Sequence, residues 1–176
     1  MSVGTNAKMT EIAAAMGLTG LESLETFVTI NRRHYLQFQR ELGGLPGIKV
    51  LSVGEGERSN YQYIVLDVDA AQAGLSRDDL VRILHAENVR ARRYFFPGCH
   101  RSLPYRDLYP NAGRGLPETE RLTGSVLCLP TGATLESDDG AAICAIVRLA
   151  VTHSAQVRTL LSGEPRWLTM RDDEKR

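Results

Sequence analysis

Residues 60–100 read NYQYIVLDVDAAQAGLSRDDLVRILHAENVRARRYFFPGCH, and this stretch decides the predicted fold. Tyr61 to Val68 is rich in β-branched and aromatic residues, which favour a pleated strand over a helix. Val89 to Phe95 has the same character and predicts a second strand, which Pro97-Gly98 ends. The rest of the chain is placed around this unit.

A helix is predicted between the two strands. Ser76 can cap this helix, and Asp79, three residues later, completes a carboxylate variant of the capping box. The helix is expected to run to about Ala86. Its apolar residues recur at helical spacing, so one face should lie against the sheet; these residues are Leu80, Ile83 and Leu84.

Arginines are concentrated at the end of this unit. No Asp or Glu occurs between Asn88 and Arg106, whereas the arginines there are Arg90, Arg92, Arg93, Arg101 and Arg106. Because aromatic residues and His100 stand beside them, the pattern indicates a site for an anionic ligand with a flat or sugar-like body. Solvated arginines on an edge strand would give the same pattern, and this second interpretation stays open.

The composition is that of an ordinary globular protein. The chain has 176 residues, of which 43% are hydrophobic and 24% charged, and its formal net charge is +0. These values fit one domain with a sizeable core and give no reason to expect a nucleic-acid partner. No apolar run is long enough to cross a bilayer, and Met1 to Lys8 lacks the features of a signal peptide. A cytoplasmic protein without a membrane partner is therefore expected.

The cysteines predict reduced thiols. Cys99, Cys128 and Cys144 are odd in number and widely spaced, which does not suit a disulfide framework. They form no zinc pattern, so no metal is expected. Cys99 directly precedes His100, and adjacent side chains in a strand point to opposite faces, so a catalytic thiol is not favoured.

The N-terminal part of the chain predicts two helices. Thr5 or Asn6 can cap a helix that begins near Ala7. A long amphipathic helix follows from Leu21 and ends at Gly43-Gly44. Its apolar stripe is interpreted as part of the core rather than as a binding face.

The remaining segments alternate short strands with helices. Strands are predicted at Ile48 to Val53 and Val126 to Leu129, and helices begin at Leu116-Pro117 and at Ser137. The proline-punctuated loop 97–115 has a length that is often functional in compact domains. This order predicts an α/β class fold, in an α+β two-layer arrangement with helices on one face of a small sheet.

Several motifs, in this order and spacing, resemble the sugar aminotransferases named after DegT, DnrJ, EryC1 and StrS. The motifs lie between Val3 and Val151 and are GTNAKMTEIAAAMGL, LPGI, LSRDDLVRIL, RRYFFPGCH, LPETERL and CLP. The YFFPGCH form is similar to members that act on deoxyhexoses linked to thymidine diphosphate.

That family uses pyridoxal phosphate (PLP) on the aspartate-aminotransferase fold, called fold type I, and the matching region is its C-terminal half. The resemblance therefore implies the small C-terminal domain of a PLP fold type I transferase, with a long N-terminal helix packed on a small sheet. It divides the chain into bracing helices at 1–44, a small domain at 45–163 and a charged tail at 164–176.

The resemblance also implies site residues. Asn6 corresponds to an asparagine that reaches across a dimer interface to the cofactor phosphate of the partner subunit, although the sequence alone would make it a helix cap. Arg93, Tyr94 and His100 belong to the substrate-side loop and are expected to bind the nucleotide sugar. No residue is expected to be catalytic, because no lysine of this chain matches the family's PLP-binding motif; the lysines are Lys8, Lys49 and Lys175.

The expected function is the C-terminal portion of a PLP-dependent nucleotide-sugar aminotransferase, acting on a dTDP-deoxyhexose as a homodimer. Transamination requires the PLP-binding lysine, which is expected to lie on a segment outside this sequence. This chain alone is therefore expected to be inactive. The alternatives are a non-catalytic nucleotide-sugar-binding or interaction module and a truncated remnant.

Overall fold

The computed structural model describes residues 8–54 and 56–163 of the chain. The predicted role of Asn6 and the predicted charged tail at 164–176 lie outside these residues. Within the described residues, the helices are α1 Glu11–Glu22, α2 Leu24–Leu42, α3 Ala70–Ala73, α4 Arg77–Ala86, α5 Tyr105–Leu108, α6 Pro117–Ser125, α7 Ser137–Thr152 and α8 Ser154–Gly163. The strands are β1 Ile48–Val50, β2 Ile64–Val68, β3 Arg92–Arg93 and β4 Val126–Leu129. Two 3₁₀ turns span Cys99–Arg101 and Ala112–Gly115.

These strands form an antiparallel sheet in the order β1–β2–β4–β3. In the centre of the sheet, Ile64 of β2 lies opposite Leu129 of β4. At one edge, Arg92 of β3 lies opposite Cys128 of β4. The arginine-rich segment therefore enters the fold along a sheet edge and continues directly into the loop 97–115.

The hydrophobic core lies between one face of the sheet and helices α2, α4 and α7. Successive residues of β2 alternate in direction, so Leu66 is fully buried in the core whereas Asp67 faces the opposite side. The large side chains with almost no exposure come from all of these elements: Phe38, Leu42, Ile64, Leu66, Leu80, Leu84, Leu127 and Val147. This arrangement confirms the predicted two-layer α+β architecture.

Helix α4 begins and ends as the sequence predicts. The Asp79 amide donates to Ser76 Oγ at 3.1 Å, and the Ser76 amide donates to Asp79 Oδ2 at 2.9 Å. This reciprocal pair satisfies two amides that a helix start leaves without an intrahelical partner. Leu75 and Leu80 flank the capping box and are both buried, so the entry angle of the helix is fixed as well.

Two strands are shorter than predicted because of contacts with Tyr35. β2 begins at Ile64 rather than Tyr61, since Tyr61 has a φ of 51° and its ring packs against Tyr35 at 5.0 Å. β1 ends at Val50 rather than Val53, because the Val53 amide donates to the Tyr35 hydroxyl at 3.1 Å. A residue in the left-handed region cannot continue a strand, so the backbone turns away at Tyr61.

The second strand of the central unit is also shorter than predicted. Instead of Val89 to Phe95, β3 comprises Arg92–Arg93. Asn88 and Phe95 have φ values of 59° and 46°, which are uncommon outside turns for residues other than glycine. The arginine-rich segment therefore consists mainly of turns rather than strand.

Helix α1 starts later than predicted and is exposed. Thr10 is the cap, and its Oγ1 accepts from the Ala13 amide at 3.3 Å, so the predicted start near Ala7 is wrong. No residue of α1 is buried. The exposed apolar side chains of α1 and the residues beside it are Met9, Ile12, Met16, Leu18 and Leu21.

The long helix is predicted correctly in its C-terminal half. Phe38 and Leu42 of α2 are fully buried, in agreement with a core stripe. Leu21 and Leu24 are 66% and 44% exposed, so the predicted stripe is wrong for its first turns. The helix is also interrupted at Ser23, which separates α1 from α2.

Among the described helices, no single one has both the length and the apolar character needed to cross a membrane. Helices α7 and α8 together meet a criterion of length and composition, but they join at a 90° bend. α7 contributes buried side chains, including Ile143 and Val147, to the core.

Replacing Ser76 with alanine is expected to lower the free energy of unfolding by about 1 kcal/mol, because the Asp79 amide loses its acceptor. Urea unfolding followed by circular dichroism measures this change. Ser137→Ala is the matched control, since Glu136 rather than Ser137 occupies the cap position of α7 and Ser137 is exposed. Equal destabilisation by the two substitutions would contradict the role of the capping box.

Candidate functional site

A cleft of ≈ 730 Å³ lies between the loop that follows β3 and helix α6. It is lined by three arginines, one histidine, one glutamate and a tyrosine, together with small and proline residues. The lining residues are Pro97, His100, Arg101, Arg106, Tyr109, Pro110, Asn111, Gly113, Arg114 and Glu120. Nine of these ten residues belong to the loop 97–115, whose functional role stays a prediction.

The first turn of the loop brings His100 and Arg101 into the cleft. Gly98 has a φ of 94°, and its carbonyl accepts from the Arg101 amide at 3.0 Å and from Ser102 Oγ at 3.0 Å. A Cβ atom at Gly98 would come within 2.8 Å of His100 Cε1. Glycine is therefore required here both for the backbone conformation and for the space that the imidazole occupies.

The carboxylate of Glu120 binds both of these side chains. His100 Nε2 lies 2.8 Å from Glu120 Oε1, and Arg101 donates from Nε to Oε1 at 2.9 Å and from Nη2 to Oε2 at 2.5 Å. The hydrogen bonds from His100 and then from Arg101 hold the pKa of Glu120 below its usual range. The carboxylate is therefore the negatively charged centre of a three-residue network.

The second 3₁₀ turn of the loop packs against the same carboxylate. A Cβ atom at Gly113 would come within 2.5 Å of Glu120 Oε1, so only glycine fits without displacing the side chain. Glu120 thus contacts both turns of the loop 97–115 from its position on α6. The shape of the cleft depends on these contacts.

The other two arginines of the cleft are more open. Arg106 pairs with the adjacent Asp107 at 3.2 Å, and its side chain is 59% exposed. Arg114 is exposed and forms no ion pair with any described residue. The three arginines are opposed by two carboxylates, those of Glu120 and Asp107, so an excess of positive charge remains and the cleft can bind an anion.

The structure places the predicted site residue Arg93 outside the lining of this cleft. Arg93 Nε lies 2.9 Å from Asp78 Oδ1, and its guanidinium stacks on the Phe96 ring at 5.1 Å. Arg77, which is almost fully buried, lies on the same ring at 5.3 Å and donates to Asp78 at 2.7 Å and to the Val126 carbonyl at 2.7 Å. These contacts hold β3 and the start of the loop against α4 and β4.

Tyr94 and His100 have different positions. Tyr94 packs against Tyr63 at 5.3 Å and against Phe95 at 4.2 Å, and it does not line the cleft. Burial raises the pKa of Tyr94 above its usual range, with smaller contributions from Tyr63 and Cys128. His100 lines the cleft. It lies on a 3₁₀ turn beside Cys99, within the predicted loop 97–115, and its partner is Glu120.

The sequence did not indicate Glu120, Tyr109 or Arg114 as site residues. From the sequence, Glu120 is an acid in the first turn of a helix, where its charge would interact favourably with the helix dipole. The excess of positive charge predicted from the arginine run is also reduced, because Asp78 and Glu120 approach it from other elements. These acids are distant in sequence, so no local pattern reveals them.

The described residues do not fit a covalently bound PLP. Lys8 and Lys49 are exposed, and Lys175 lies outside the described part of the chain. The groove of ≈ 580 Å³ beside Lys49 has no carboxylate and no aromatic ring among its lining residues, whereas PLP enzymes use both to hold the pyridine ring. Nor do residues 8–54 and 56–163 contain a group of three His, Cys, Asp or Glu side chains that could hold a metal ion.

Comparison with known proteins identifies similar sequences. The sequence model of the DegT/DnrJ/EryC1/StrS aminotransferase family matches residues 1–148. The chain is 33% identical over 138 residues to the dTDP-4-amino-4,6-dideoxy-D-glucose transaminase of Shigella dysenteriae. That match covers 77% of this chain and 36% of the Shigella protein.

Solved structures give a matching backbone. The structure of DesI in the presence of its TDP-sugar product is 40% identical, with a TM-score of 0.82, and the match covers 90% of this chain and 40% of DesI. Helicobacter pylori PseC, an aminotransferase involved in the biosynthesis of pseudoaminic acid, is 20% identical with a TM-score of 0.73, which shows the fold alone. This match covers 88% of this chain and 40% of PseC. The chain thus spans between 36% and 40% of the length of these relatives and has the fold of part of a PLP fold type I aminotransferase.

Lowering the pH is expected to remove the contribution of Glu120 to stability. The pKa of Glu120 is lower in the folded chain than its ordinary value of 4.5. Its ionised form therefore stabilises the fold above pH 4.5, and this contribution is lost as the pH falls through the pKa of the folded chain. Glu120→Gln should therefore lower the melting temperature at neutral pH, and the difference from the unaltered chain should disappear in acid. Circular dichroism melts measure both.

Glu118→Gln is the control for this titration, since it makes the same charge change on the same helix while its carboxylate pairs with Arg121 instead of the loop. A melting-temperature difference for Glu120→Gln that stays constant from neutral pH to about pH 3 would contradict the assignment.

Proposed function

Because the chain belongs to the DegT/DnrJ/EryC1/StrS aminotransferase family, we propose that it forms the nucleotide-sugar-binding lobe of a PLP-dependent sugar aminotransferase. The likeness to DesI, whose structure was determined with its TDP-sugar product, carries this proposal. The Shigella relative is named for a dTDP-linked dideoxyhexose. The proposed substrate class is therefore a dTDP-deoxyhexose.

The cleft beside α6 is the proposed site for the diphosphate of this substrate. Arg106 and Arg114 provide exposed guanidinium groups, which bind phosphate oxygens in a bidentate manner. The ring of Tyr109 lines the same cleft and offers a flat surface for the base or the sugar. His100, which the family resemblance predicts to bind the substrate, lies among these groups.

Arg93 and Tyr94, the other predicted substrate-binding residues, are proposed to act from the sheet edge beside the loop. Their contacts with Phe96 and Tyr63 support this role, because they fix the start of the loop that carries His100. Asn6 is proposed to contact the cofactor phosphate of the partner subunit in a homodimer. The exposed apolar side chains of α1 support a covered interface in the assembled enzyme.

In this proposal the lysine that binds PLP lies on a segment outside this sequence. PLP supplies the electron sink for transamination when it is bound, and this chain supplies the substrate site. The chain alone is therefore expected to be inactive. The relatives it matches are aminotransferases, which does not favour a non-catalytic module or a truncated remnant.

The cytoplasm is the proposed location. Cys99, Cys128 and Cys144 are all free thiols, as expected in a reducing compartment. Burial raises the pKa of Cys128 to about 11 and that of Cys144 to about 12, so these two thiols are unreactive at neutral pH.

Replacing Arg106 or Arg114 with glutamine is expected to weaken binding of thymidine diphosphate about tenfold each. A charge-assisted hydrogen bond contributes about 1.5–3 kcal/mol, and 1.4 kcal/mol corresponds to a tenfold change in affinity. Isothermal titration calorimetry on the full chain measures this effect. The control is Arg158→Gln, which removes the same charge from an exposed position on α8 that does not line the cleft. An equal loss of affinity in all three variants would contradict a site in the cleft.

Equimolar PLP is expected to leave the chain without a stoichiometric covalent adduct, because Lys8 and Lys49 are exposed and the groove beside Lys49 has no carboxylate or aromatic ring to hold the pyridine ring. Reduction with borohydride followed by intact-mass and peptide analysis measures this. Complete modification of one lysine at equimolar PLP, with no modification of the others, would contradict the proposed division of roles.

A further inference from the structure

We propose that Glu120 is a positioning residue for this cleft: its carboxylate holds His100 and Arg101 in the orientation in which the cleft receives a diphosphate. The inference rests on the proposed function of the cleft and adds a role for an acidic residue inside an anion site. Glu120 itself does not contact the ligand in this proposal. It acts through the two side chains that it binds.

The geometry of the Arg101 contact supports this role. Arg101 presents Nε and Nη2 to the two oxygens of Glu120, at 2.9 and 2.5 Å. Such a side-on pair fixes the plane of a guanidinium group as well as its position. Within the described part of the chain, Arg101 Nη1 has no hydrogen-bond partner, so the opposite edge of the guanidinium can bind a second anion.

The burial of the three side chains agrees with an ordered network. The His100 side chain is 8% exposed and that of Glu120 is 27% exposed, whereas that of Arg101 is 57% exposed. An arginine this exposed would sample many rotamers if it had no fixed partner. The carboxylate therefore reduces the conformational freedom that Arg101 would otherwise lose on binding a ligand.

Glu120 affects anion binding in two ways, through its charge and through its hydrogen bonds, and these effects have opposite signs. Its negative charge repels an anion in the same cleft, so removal of the charge alone would strengthen binding. Its hydrogen bonds orient His100 and Arg101, so loss of these bonds would weaken binding. The direction of the change in affinity therefore distinguishes a positioning residue from a simple counter-charge.

The test compares Glu120→Gln with Glu118→Gln in the full chain, with thymidine diphosphate as the ligand in calorimetry. Glutamine keeps the shape of the side chain but has one acceptor oxygen, so it cannot offer separate oxygens to Nε and Nη2 of Arg101. Glu118 lies on the same helix, is 78% exposed and pairs with Arg121, and its replacement makes the same charge change outside the cleft. We expect Glu120→Gln to weaken binding at least fivefold and Glu118→Gln to leave it within twofold.

Side-chain NMR of the chain without ligand gives a second readout, because it reports directly on the hydrogen bonds of Arg101 and His100 before a ligand binds. The Arg101 Nε–H and His100 Nε2 resonances should show hydrogen-bonded shifts and slow exchange in the unaltered chain and in Glu118→Gln. At least one of the two signatures should be lost in Glu120→Gln, which keeps a single acceptor oxygen, while the backbone amide spectrum stays folded. Retention of both signatures in Glu120→Gln would overturn the inference.

The outcomes separate the inference from the proposed function. If the unaltered chain binds thymidine diphosphate and Glu120→Gln binds equally well or more tightly, the positioning role is overturned and the proposed function stands. If the unaltered chain does not bind thymidine diphosphate, the proposed function of the cleft fails, and the positioning role for a ligand fails with it. Weaker binding by Glu120→Gln alone, with the NMR signatures lost, supports both.

Discussion

The carboxylate of Glu120 is the point on which the candidate site depends. It lies on α6, and its hydrogen bonds to His100 and Arg101 attach the first turn of the loop 97–115 to that helix. The second turn packs against the same carboxylate at Gly113, where a side chain would not fit. The loop has no strand of its own, so these contacts, rather than a sheet ladder, define the position of its arginines.

The arginines of the chain have either internal or external roles, according to the acids and rings that contact them. Arg77 and Arg93 share Asp78 and lie on the Phe96 ring, so their charges hold β3 against the body of the domain. Arg106 and Arg114 stay open to solvent in the cleft. Ion pairs exposed to solvent contribute little to stability, so the contacts of the exposed Arg101 mainly provide orientation. The cleft combines exposed positive charge with a preset arrangement of donors.

Features that depend on a few neighbouring residues could be predicted from the sequence. The capping box of α4 needs only Ser76 and Asp79, and the core face of that helix follows from its periodicity. The start of β2 could not be predicted, because Tyr61 adopts a left-handed conformation and packs on Tyr35, which belongs to a helix distant in sequence. The motifs shared with the sugar aminotransferases gave the family and the fold before any contact was known.

The location of the candidate site could be predicted from the sequence, but its hydrogen-bond network could not. The arginine run and the loop length indicated an anion site near His100, and His100 does line the cleft. Glu120 was not indicated, since it is separated from His100 by about twenty positions and by two turns that the sequence does not specify. The most direct test of the site is a crystal structure of the chain with thymidine diphosphate. The account predicts diphosphate oxygens within hydrogen-bonding distance of Arg106 and Arg114, with Glu120 still bound to Arg101; a nucleotide bound elsewhere on the domain, with this cleft unchanged, would contradict it.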